Sequence, residues 1–229
     1  MITFIGNSHA ADHLREAARV KGVEITEDLG ATELVFVSQD TETNRSGQRE
    51  LKTIRALVHA AREASQAPIV LTCQVPPGFT RSLGLAKMYH QAETLRIKDA
   101  THRALNPDYI VVGCATYESY ELLPAPYRRY LEAFSCPVQM VTYEDAEFSK
   151  VAVNMFLAAQ VEATNMLAEA AIECDASWWH VAEVLKRDKR IGPHAYLEPG
   201  RWQESRHLMR DYATLLEVLP SNDLLLAWR

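Results

Sequence analysis

Lys150 and Asn154 lie four residues apart in an otherwise apolar stretch, residues 147–160. In an α-helix this spacing places both side chains on one face. A fixed ammonium group beside a developing negative charge in a dry site would stabilise that charge strongly. The structural alternative is that Lys150 extends to the helix edge while Asn154 forms a hydrogen bond within a helix interface. The spacing alone favours the structural alternative.

A candidate cofactor site follows the first predicted strand, "ITFI". A dinucleotide-binding fold places a G-x-G-x-x-G loop at this point, because glycines let backbone amides reach a pyrophosphate at the start of the next helix. Only Gly6 of the three glycines is present. Glu27 or Asp28, roughly 20 residues further on, could contact a ribose. A solvated turn explains these residues better than a cofactor site does.

The composition indicates a globular protein. The chain has 229 residues, of which 48% are hydrophobic, so it can bury a core in one large domain or two modest ones. Its net charge of -6 comes without a basic stripe, which argues against nucleic acid as a partner. The first residues lack a basic region, and no apolar run approaches membrane-spanning length. We therefore expect a cytoplasmic protein that does not contact a membrane.

The four cysteines predict neither a disulfide framework nor a metal site. Cys73, Cys114, Cys136 and Cys174 are far apart and form no C-x-x-C pair. We expect reduced thiols in or near the core.

The elements that must position these residues fall into two parts. Up to about residue 143, short β-rich runs alternate with helical stretches, which predicts βαβ units and a parallel sheet covered by helices. Residues 86–100 are predicted to form one of those helices. Residues 145–176 contain neither proline nor glycine, which predicts one long helix. Two further helices are predicted near 175–188 and 202–219, so the second part is helical.

Several segments, taken together and in order, resemble the UDP-glucose/GDP-mannose dehydrogenase family, whose NAD-dependent members oxidise the C6 alcohol of a nucleotide sugar to a carboxylate. The matching residues are "VPPG" (75–78), Glu93 in "AETLR", "NPDYIVVG" (106–113), the helix from Glu147, "DKRIGP" (188–193) and Asp211. The resemblance implies an α/β fold. A shortened Rossmann-like parallel sheet of the NAD-binding type would cover residues 1–143, and a helical dimerisation domain would cover residues 144–229.

The resemblance also implies catalytic residues. Lys150 would stabilise the oxyanions that form, and Asn154 would help to hold a water. Glu93 would supply a carboxylate at the same site, and Asp211 would be its partner in proton handling. His207 occupies the position at which the family carries the nucleophilic cysteine of the second oxidation.

The binding residues implied by the resemblance form two sets. NAD would contact Gly6, Asn7, Gln74 and Pro76. A nucleotide sugar would contact Arg190, Tyr196 and Leu197.

A homodimer is expected through the 145–176 helix, and no metal is implied. The apolar residues expected to be buried against the second copy are Val151, Phe156, Leu157, Val161 and Met166.

Two departures from the family limit the expected activity. Without the cysteine, oxidation would stop at the aldehyde, and Cys73 is expected to be an inert packing group rather than a substitute. Elements of the nucleotide domain before residue 33, and the C-terminal domain that completes the sugar site, are also expected to be missing. Three functions therefore stay open: a reduced NAD-dependent dehydrogenase, a non-catalytic dimeric scaffold or regulator, and a small-molecule binding protein.

Overall fold

The computed structural model describes residues 1–44, 47–95 and 97–223. The chain forms two compact units, one of residues 1–44 and 49–150 and the other of residues 45–48 and 151–229. The last six residues of the predicted helical domain, 224–229, lie outside the described residues. The predicted domain boundary between residues 143 and 144 stays a prediction.

The first unit is built on a six-stranded sheet whose strands lie side by side in sequence order. These strands are β1 (Ile2–Ile5), β2 (Leu34–Val37), β3 (Ile69–Leu71), β4 (Met88–Gln91), β5 (Ile110–Cys114) and β6 (Val138–Thr142). The first four strands pair in parallel, β5 runs antiparallel to β4, and β6 is parallel to β5. The predicted α/β class is therefore confirmed, with one antiparallel pairing inside the sheet.

Five helices connect these strands within the described part of the first unit. They are α1 (His9–Val20), α2 (Lys52–Ala64), α3 (Phe79–Ser82), α4 (Ala100–Leu105) and α5 (Ala125–Glu132). The two longest bury one apolar face each, as amphipathic surface helices do. α5 has Pro124 as its N-cap and Pro126 in its first turn, where the missing N–H of a proline would have no helical partner.

Residues 86–100 do not form the predicted helix. Met88–Gln91 form β4, Ile97–Asp99 form a short 3₁₀ helix, and α4 begins only at Ala100. The backbone of β4 pairs with β3 on one side and with β5 on the other. The prediction was wrong because this pairing in the sheet outweighs a weak local preference for helix.

The core of the first unit lies on both faces of the sheet. Leu34 and Phe36 of β2 pack into one apolar cluster, and Val35 and Val37 pack into another. All four side chains are fully buried. Continuous burial of this kind is expected for parallel strands covered by helices on both faces.

The long helix predicted from the sequence is present as α6 (Tyr143–Glu173). A reciprocal capping box fixes its start directly after β6: the Thr142 N–H donates to Asp145 Oδ2 over 3.1 Å, and the Asp145 N–H donates to Thr142 Oγ1 over 3.3 Å. α6 is 31 residues long, and no proline or glycine interrupts it. The prediction of one long helix is confirmed.

The second unit packs α7 (Trp178–Leu185) and α8 (Arg206–Val218) with the later part of α6. One apolar cluster joins α6 to α8 and to the short segment before it, through Val151, Met155, Ala158, Trp202 and Tyr212. A second cluster joins α6 to α7 through Ala171, Trp178 and Ala182. The apolar residues of α6 therefore stabilise the unit itself.

The residues predicted to face a second copy fall into two groups. Val151 is 1% exposed and belongs to the α6–α8 cluster, and Val161 packs against that cluster. The predicted role of Val151 was wrong, because its partners lie in its own unit. Phe156 and Met166 are 69% and 63% exposed, and Leu157 is half-buried.

Candidate functional site

Asn154 of α6 and Asp211 of α8 meet in the interior of the second unit. The Asn154 amide nitrogen Nδ2 donates to Asp211 Oδ2 over 2.6 Å, and the two residues are 9% and 1% exposed. The Nε of Arg210 lies 3.9 Å from Asp211 Oδ1, so the carboxylate also has a positive charge nearby. A buried carboxylate requires such partners, because an unpaired buried charge is very costly. The structure thus brings together two of the predicted catalytic residues.

Lys150 and His207 occupy less buried positions on the same two helices. Lys150 is half-buried and lies one helical turn before Asn154, so the two side chains share one side of α6. His207 is exposed in the first turn of α8, four residues before Asp211. The catalytic roles of both residues stay predictions.

Glu93 lies in the loop that follows β4 and is hydrogen bonded to Gln74, a predicted cofactor contact. The Gln74 Nε2 donates to Glu93 Oε2 over 2.8 Å, and the Leu95 N–H donates to Glu93 Oε1. The side-chain oxygen of Gln74 is buried and has no hydrogen-bond partner. Glu93 also lines a pocket of the first unit together with Thr72 and Arg103. The carboxylate is thus fixed in place by its own neighbours.

Glu147 anchors the "VPPG" turn, a role that the sequence analysis missed. Its carboxylate accepts from the Gly78 N–H over 2.6 Å and from the Thr80 N–H over 2.7 Å. Glu147 is 2% exposed. Burial raises its pKa, although the hydrogen bonds from Thr80 and Gly78 lower it. The available signal was an acidic residue in an apolar helix, three residues before Lys150. The predicted cofactor residue Pro76 also lies in this turn, and its carbonyl accepts from the Phe79 N–H over 3.2 Å.

The loop between β1 and α1 is closed by hydrogen bonds within the chain. Ser8 is the N-cap of α1, and its hydroxyl accepts from the Ala11 N–H over 2.9 Å. The same hydroxyl lies 2.8 Å from the hydroxyl of Ser38, which directly follows β2. The Asn7 N–H donates to the side-chain oxygen of Gln39 over 2.9 Å. Neutral side chains therefore satisfy N–H groups at the start of this helix.

These residues do not fit the pyrophosphate of NAD. Counted from Gly6, the second and third glycines of the motif fall at Ser8 and Ala11, and the second glycine is the one that lets a pyrophosphate approach the backbone. Gly6 has a φ of +93°, and a Cβ there would lie 2.5 Å from the Ser38 carbonyl oxygen. The close approach of Ser38 therefore accounts for Gly6 without any ligand.

Neither buried cysteine of the first unit is an activated thiol. Burial raises the pKa of Cys73 and of Cys114 to about 12. The Cys73 sulfur accepts from the Gln39 N–H over 3.1 Å, which is a structural contact. Cys174, in contrast, is exposed rather than near the core as predicted, because it lies just beyond the end of α6.

The predicted sugar-binding residues lie on one loop of the second unit. Arg190 is 88% exposed, and its Nη2 lies 2.6 Å from Asp188 Oδ2. The Tyr196 carbonyl accepts from Thr164 Oγ1 over 2.7 Å, and the Leu197 carbonyl accepts from Trp178 Nε1 over 3.0 Å. The backbone of this loop is thus held by α6 and α7. The binding roles of its side chains stay predictions.

Within residues 1–44, 47–95 and 97–223, no group of three or more His, Cys, Asp or Glu side chains is placed to hold a metal ion. In the same part of the chain, no helix combines the length and apolar character needed to cross a membrane.

A mostly parallel sheet covered by helices gives the first unit a Rossmann-like α/β fold, and a long helix with a buried amide follows it in the chain. Residues 144–226 match the family model described as the UDP-glucose/GDP-mannose dehydrogenase family, central domain. The resemblance that the sequence motifs predicted is therefore confirmed.

Individual relatives agree with this result. The chain is 27% identical over 199 residues to a UDP-glucose 6-dehydrogenase of Pseudomonas aeruginosa, a match that covers 80% of this chain and 44% of the relative. A UDP-glucose dehydrogenase from Pyrobaculum islandicum has a similar structure, with a TM-score of 0.76 at 20% identity over 99% of this chain and 65% of that chain. For the 3-hydroxyisobutyrate dehydrogenase of Mycobacterium tuberculosis the TM-score is 0.71 at 13% identity, over 99% of this chain and 90% of that chain.

The structural likenesses show the fold alone. The chain spans less than half the length of the Pseudomonas aeruginosa relative, at 44%. The activity of that complete protein therefore does not follow for this chain.

Proposed function

We propose that this chain is a non-redox relative of the nucleotide-sugar dehydrogenases, one that binds a nucleotide sugar without oxidising it. The observation that carries the proposal is the buried contact of 2.6 Å between Asn154 and Asp211. Even a paired buried charge seldom stabilises a fold more than an apolar residue of similar size. Polar groups that interrupt a packed core are therefore expected at functional sites.

A sugar is a suitable ligand for this pair. A hydroxyl group can donate to the carboxylate of Asp211 and accept from the amide of Asn154 at the same time. Lys150, one turn earlier on α6, would add a positive charge that suits an anionic or strongly polar ligand. These three residues are the ones for which the family resemblance implies contact with the reacting sugar.

The loop after β1 argues against any NAD-dependent oxidation. It does not fit the pyrophosphate of NAD, because the Ala11 and Asn7 N–H groups are bonded to Ser8 and Gln39. A second feature argues against oxidation beyond the aldehyde. The resemblance places His207 where the second oxidation requires a cysteine, and an imidazole cannot form the thiohemiacetal. Cys73 is no substitute, since burial raises its pKa to about 12. The binding function is therefore better supported than a reduced dehydrogenase.

Titration of the full chain with UDP-glucose and with GDP-mannose tests this proposal. At least one of the two should raise the melting temperature, because a ligand that binds only the folded state stabilises it. Asn154→Ala should remove that rise. Asn106→Ala is the matched control, since it makes the same chemical change at the exposed end of α4. The proposal fails if neither sugar nucleotide changes the melting temperature, or if both variants respond as the wild type does.

The second part of the proposal is that the chain acts as a homodimer through α6. One face of α6 carries exposed residues at a spacing of seven: Phe156, Ala163 and Ala170. The exposed Met166 lies between Ala163 and Ala170 on the same face. Large side chains alternate with alanines along this face, so a second copy of the face could interdigitate with it. A two-fold dimer uses such a self-complementary patch.

Sedimentation of two matched variants tests the dimer. Phe156→Asp and Leu122→Asp both place a charge at a side chain that is 69% exposed. The wild type and Leu122→Asp should sediment as dimers, and Phe156→Asp should sediment as a monomer, because the charge would be buried only in a dimer through α6. A monomeric wild type would rule this part out.

A further inference from the structure

We propose that Ser8 and Gln39 are specificity-determining residues that exclude NAD by occupying the dinucleotide loop themselves. This inference deepens the non-redox part of the proposed function, but it concerns only the first unit and does not depend on sugar binding.

The Ser8 side chain and the Gln39 backbone are held in this position by buried or partly buried contacts. Ser8 and Ser38 are 4% and 1% exposed, and their hydroxyl groups are 2.8 Å apart. Gln39 is fixed by its backbone, because its N–H donates to the Cys73 sulfur over 3.1 Å. The Asp40 N–H donates to the Asn7 carbonyl over 3.2 Å, which closes the loop from its other side. The loop is therefore a connected hydrogen-bond network.

A pyrophosphate would have to break this network. Phosphate groups bind at a helix start through backbone N–H groups. In this chain the Ala11 N–H is bonded to the Ser8 hydroxyl, and the Asn7 N–H is bonded to Gln39. Displacing Ser8 would also leave the buried hydroxyl of Ser38 without its partner, and unsatisfied buried polar groups are costly.

Glu27 is an acidic residue at the position that a dinucleotide-binding fold uses for the adenosine ribose, so the proposed exclusion concerns the loop alone. Ile25 forms a parallel bridge with Ile2, so this segment extends the sheet beyond β1. Glu27 follows that segment directly. A dinucleotide-binding fold has its ribose-binding acidic residue at this place, after the strand next to β1. Removing the two occluding side chains should therefore be enough to admit the dinucleotide.

The test compares NADH binding to the full-length wild type with binding to the double variant Ser8→Gly, Gln39→Ala. Glycine restores the second position of the motif and is well tolerated at a helix N-cap. Calorimetric titration should show no heat for the wild type at millimolar NADH, and affinity at least about tenfold higher for the double variant. Ser205→Gly is the matched control, because Ser205 is the N-cap of α8 and makes no side-chain capping bond.

Two results would overturn the inference. The first is that the wild type binds NADH as tightly as the double variant does. The second is that the double variant folds but binds NADH no more tightly than the wild type. If circular dichroism shows that the double variant is unfolded, Gln39→Ala alone leaves the helix cap intact and should still give a smaller gain. A Gln39→Ala variant without any gain would then overturn the inference. UDP-glucose binding should be the same in all these variants. An unexpected result with NADH would therefore overturn only the role of Ser8 and Gln39, and sugar binding would still be tested separately.

Discussion

The loop after β1 and the pair formed by Asn154 and Asp211 are both places where polar groups are buried, and they differ in what they offer a ligand. In the loop, the neutral side chains of Ser8 and Gln39 accept hydrogen bonds from the Ala11 and Asn7 N–H groups, which a phosphate could otherwise contact. In the pair, a carboxylate and an amide face each other inside a unit with an apolar core. Internal hydrogen bonds can thus replace the contacts of a cofactor in the loop, whereas the pair places a carboxylate and an amide, with Arg210 beside them, in the interior of the second unit.

The largest expected effect is that of removing the carboxylate of the pair. Asp211→Ala leaves the buried Arg210 and the amide of Asn154 without this partner, so the free energy of unfolding should fall by about 3–5 kcal/mol. Urea unfolding measures the loss. Asp108→Ala is the control, since that side chain is 76% exposed, and its effect should stay within about 0.5 kcal/mol. Equal losses in the two variants would remove the distinction between the pair and an ordinary surface charge.

The explanation of Gly6 can be tested with a second glycine. Gly6 and Gly22 have positive φ values of 93° and 77°, so alanine is strained at both. A Cβ at Gly6 would also meet the Ser38 carbonyl at 2.5 Å, whereas nothing lies within 4 Å at Gly22. Gly6→Ala should therefore cost about 1–3 kcal/mol more than Gly22→Ala in thermal or urea unfolding. Equal costs would show that Ser38 does not explain the glycine.

The first unit should be the more sensitive to acid, because it buries His90. Burial lowers the pKa of His90 to about 3 from 6.5. The unfolded chain therefore binds more protons than the folded chain between these values, so stability falls as the pH falls through 6.5. The loss from this group should be about 1 kcal/mol between pH 7 and pH 5.5.

Urea unfolding of His90→Gln at both pH values isolates this contribution. The variant should lose less stability on acidification than the wild type does. His180→Gln, at an exposed position on α7, should behave as the wild type. An identical pH dependence in all three proteins would contradict the assignment.

The smallest expected effect concerns the helix cap in the loop. Ser8→Ala removes the bond to the Ala11 N–H and should cost about 1 kcal/mol. Ser205→Ala should cost clearly less, because the Ser205 side chain makes no capping bond. Thermal unfolding of the two variants measures the difference. If both substitutions cost the same, the Ser8 network contributes little to the closure of the loop.

The sequence predicted the elements that local patterns specify. The long helix α6 was recognisable because no proline or glycine interrupts it, and the alternation of strands and helices predicted the α/β class. β4 was missed because its strand conformation depends on pairing with β3 and β5, which a local pattern does not reveal. The burial of Val151 was missed for a similar reason, since apolar spacing does not show which partner covers a helix face.

The candidate site was predictable only in part. Asn154 and Asp211, 57 residues apart in the chain, were linked through the family motifs rather than through local spacing. The roles of Glu147, Ser8 and Gln39 were not predicted, because each depends on a backbone N–H from another part of the fold or on a turn that only the structure reveals. Residue types can mark such positions, as the acidic Glu147 does in an apolar helix, but they do not show which N–H groups the side chains contact.

We propose that the second unit keeps residues that bind a nucleotide sugar, whereas the loop after β1 in the first unit is closed to NAD. The most direct measurement incubates the full chain with NAD and either UDP-glucose or GDP-mannose, follows the absorbance at 340 nm, and records the melting temperature of the same sample. We predict that at least one of the two sugar nucleotides raises the melting temperature and that the absorbance changes with neither. A rise in absorbance that depends on the protein would contradict the account, because it would show that the closed loop still admits the cofactor.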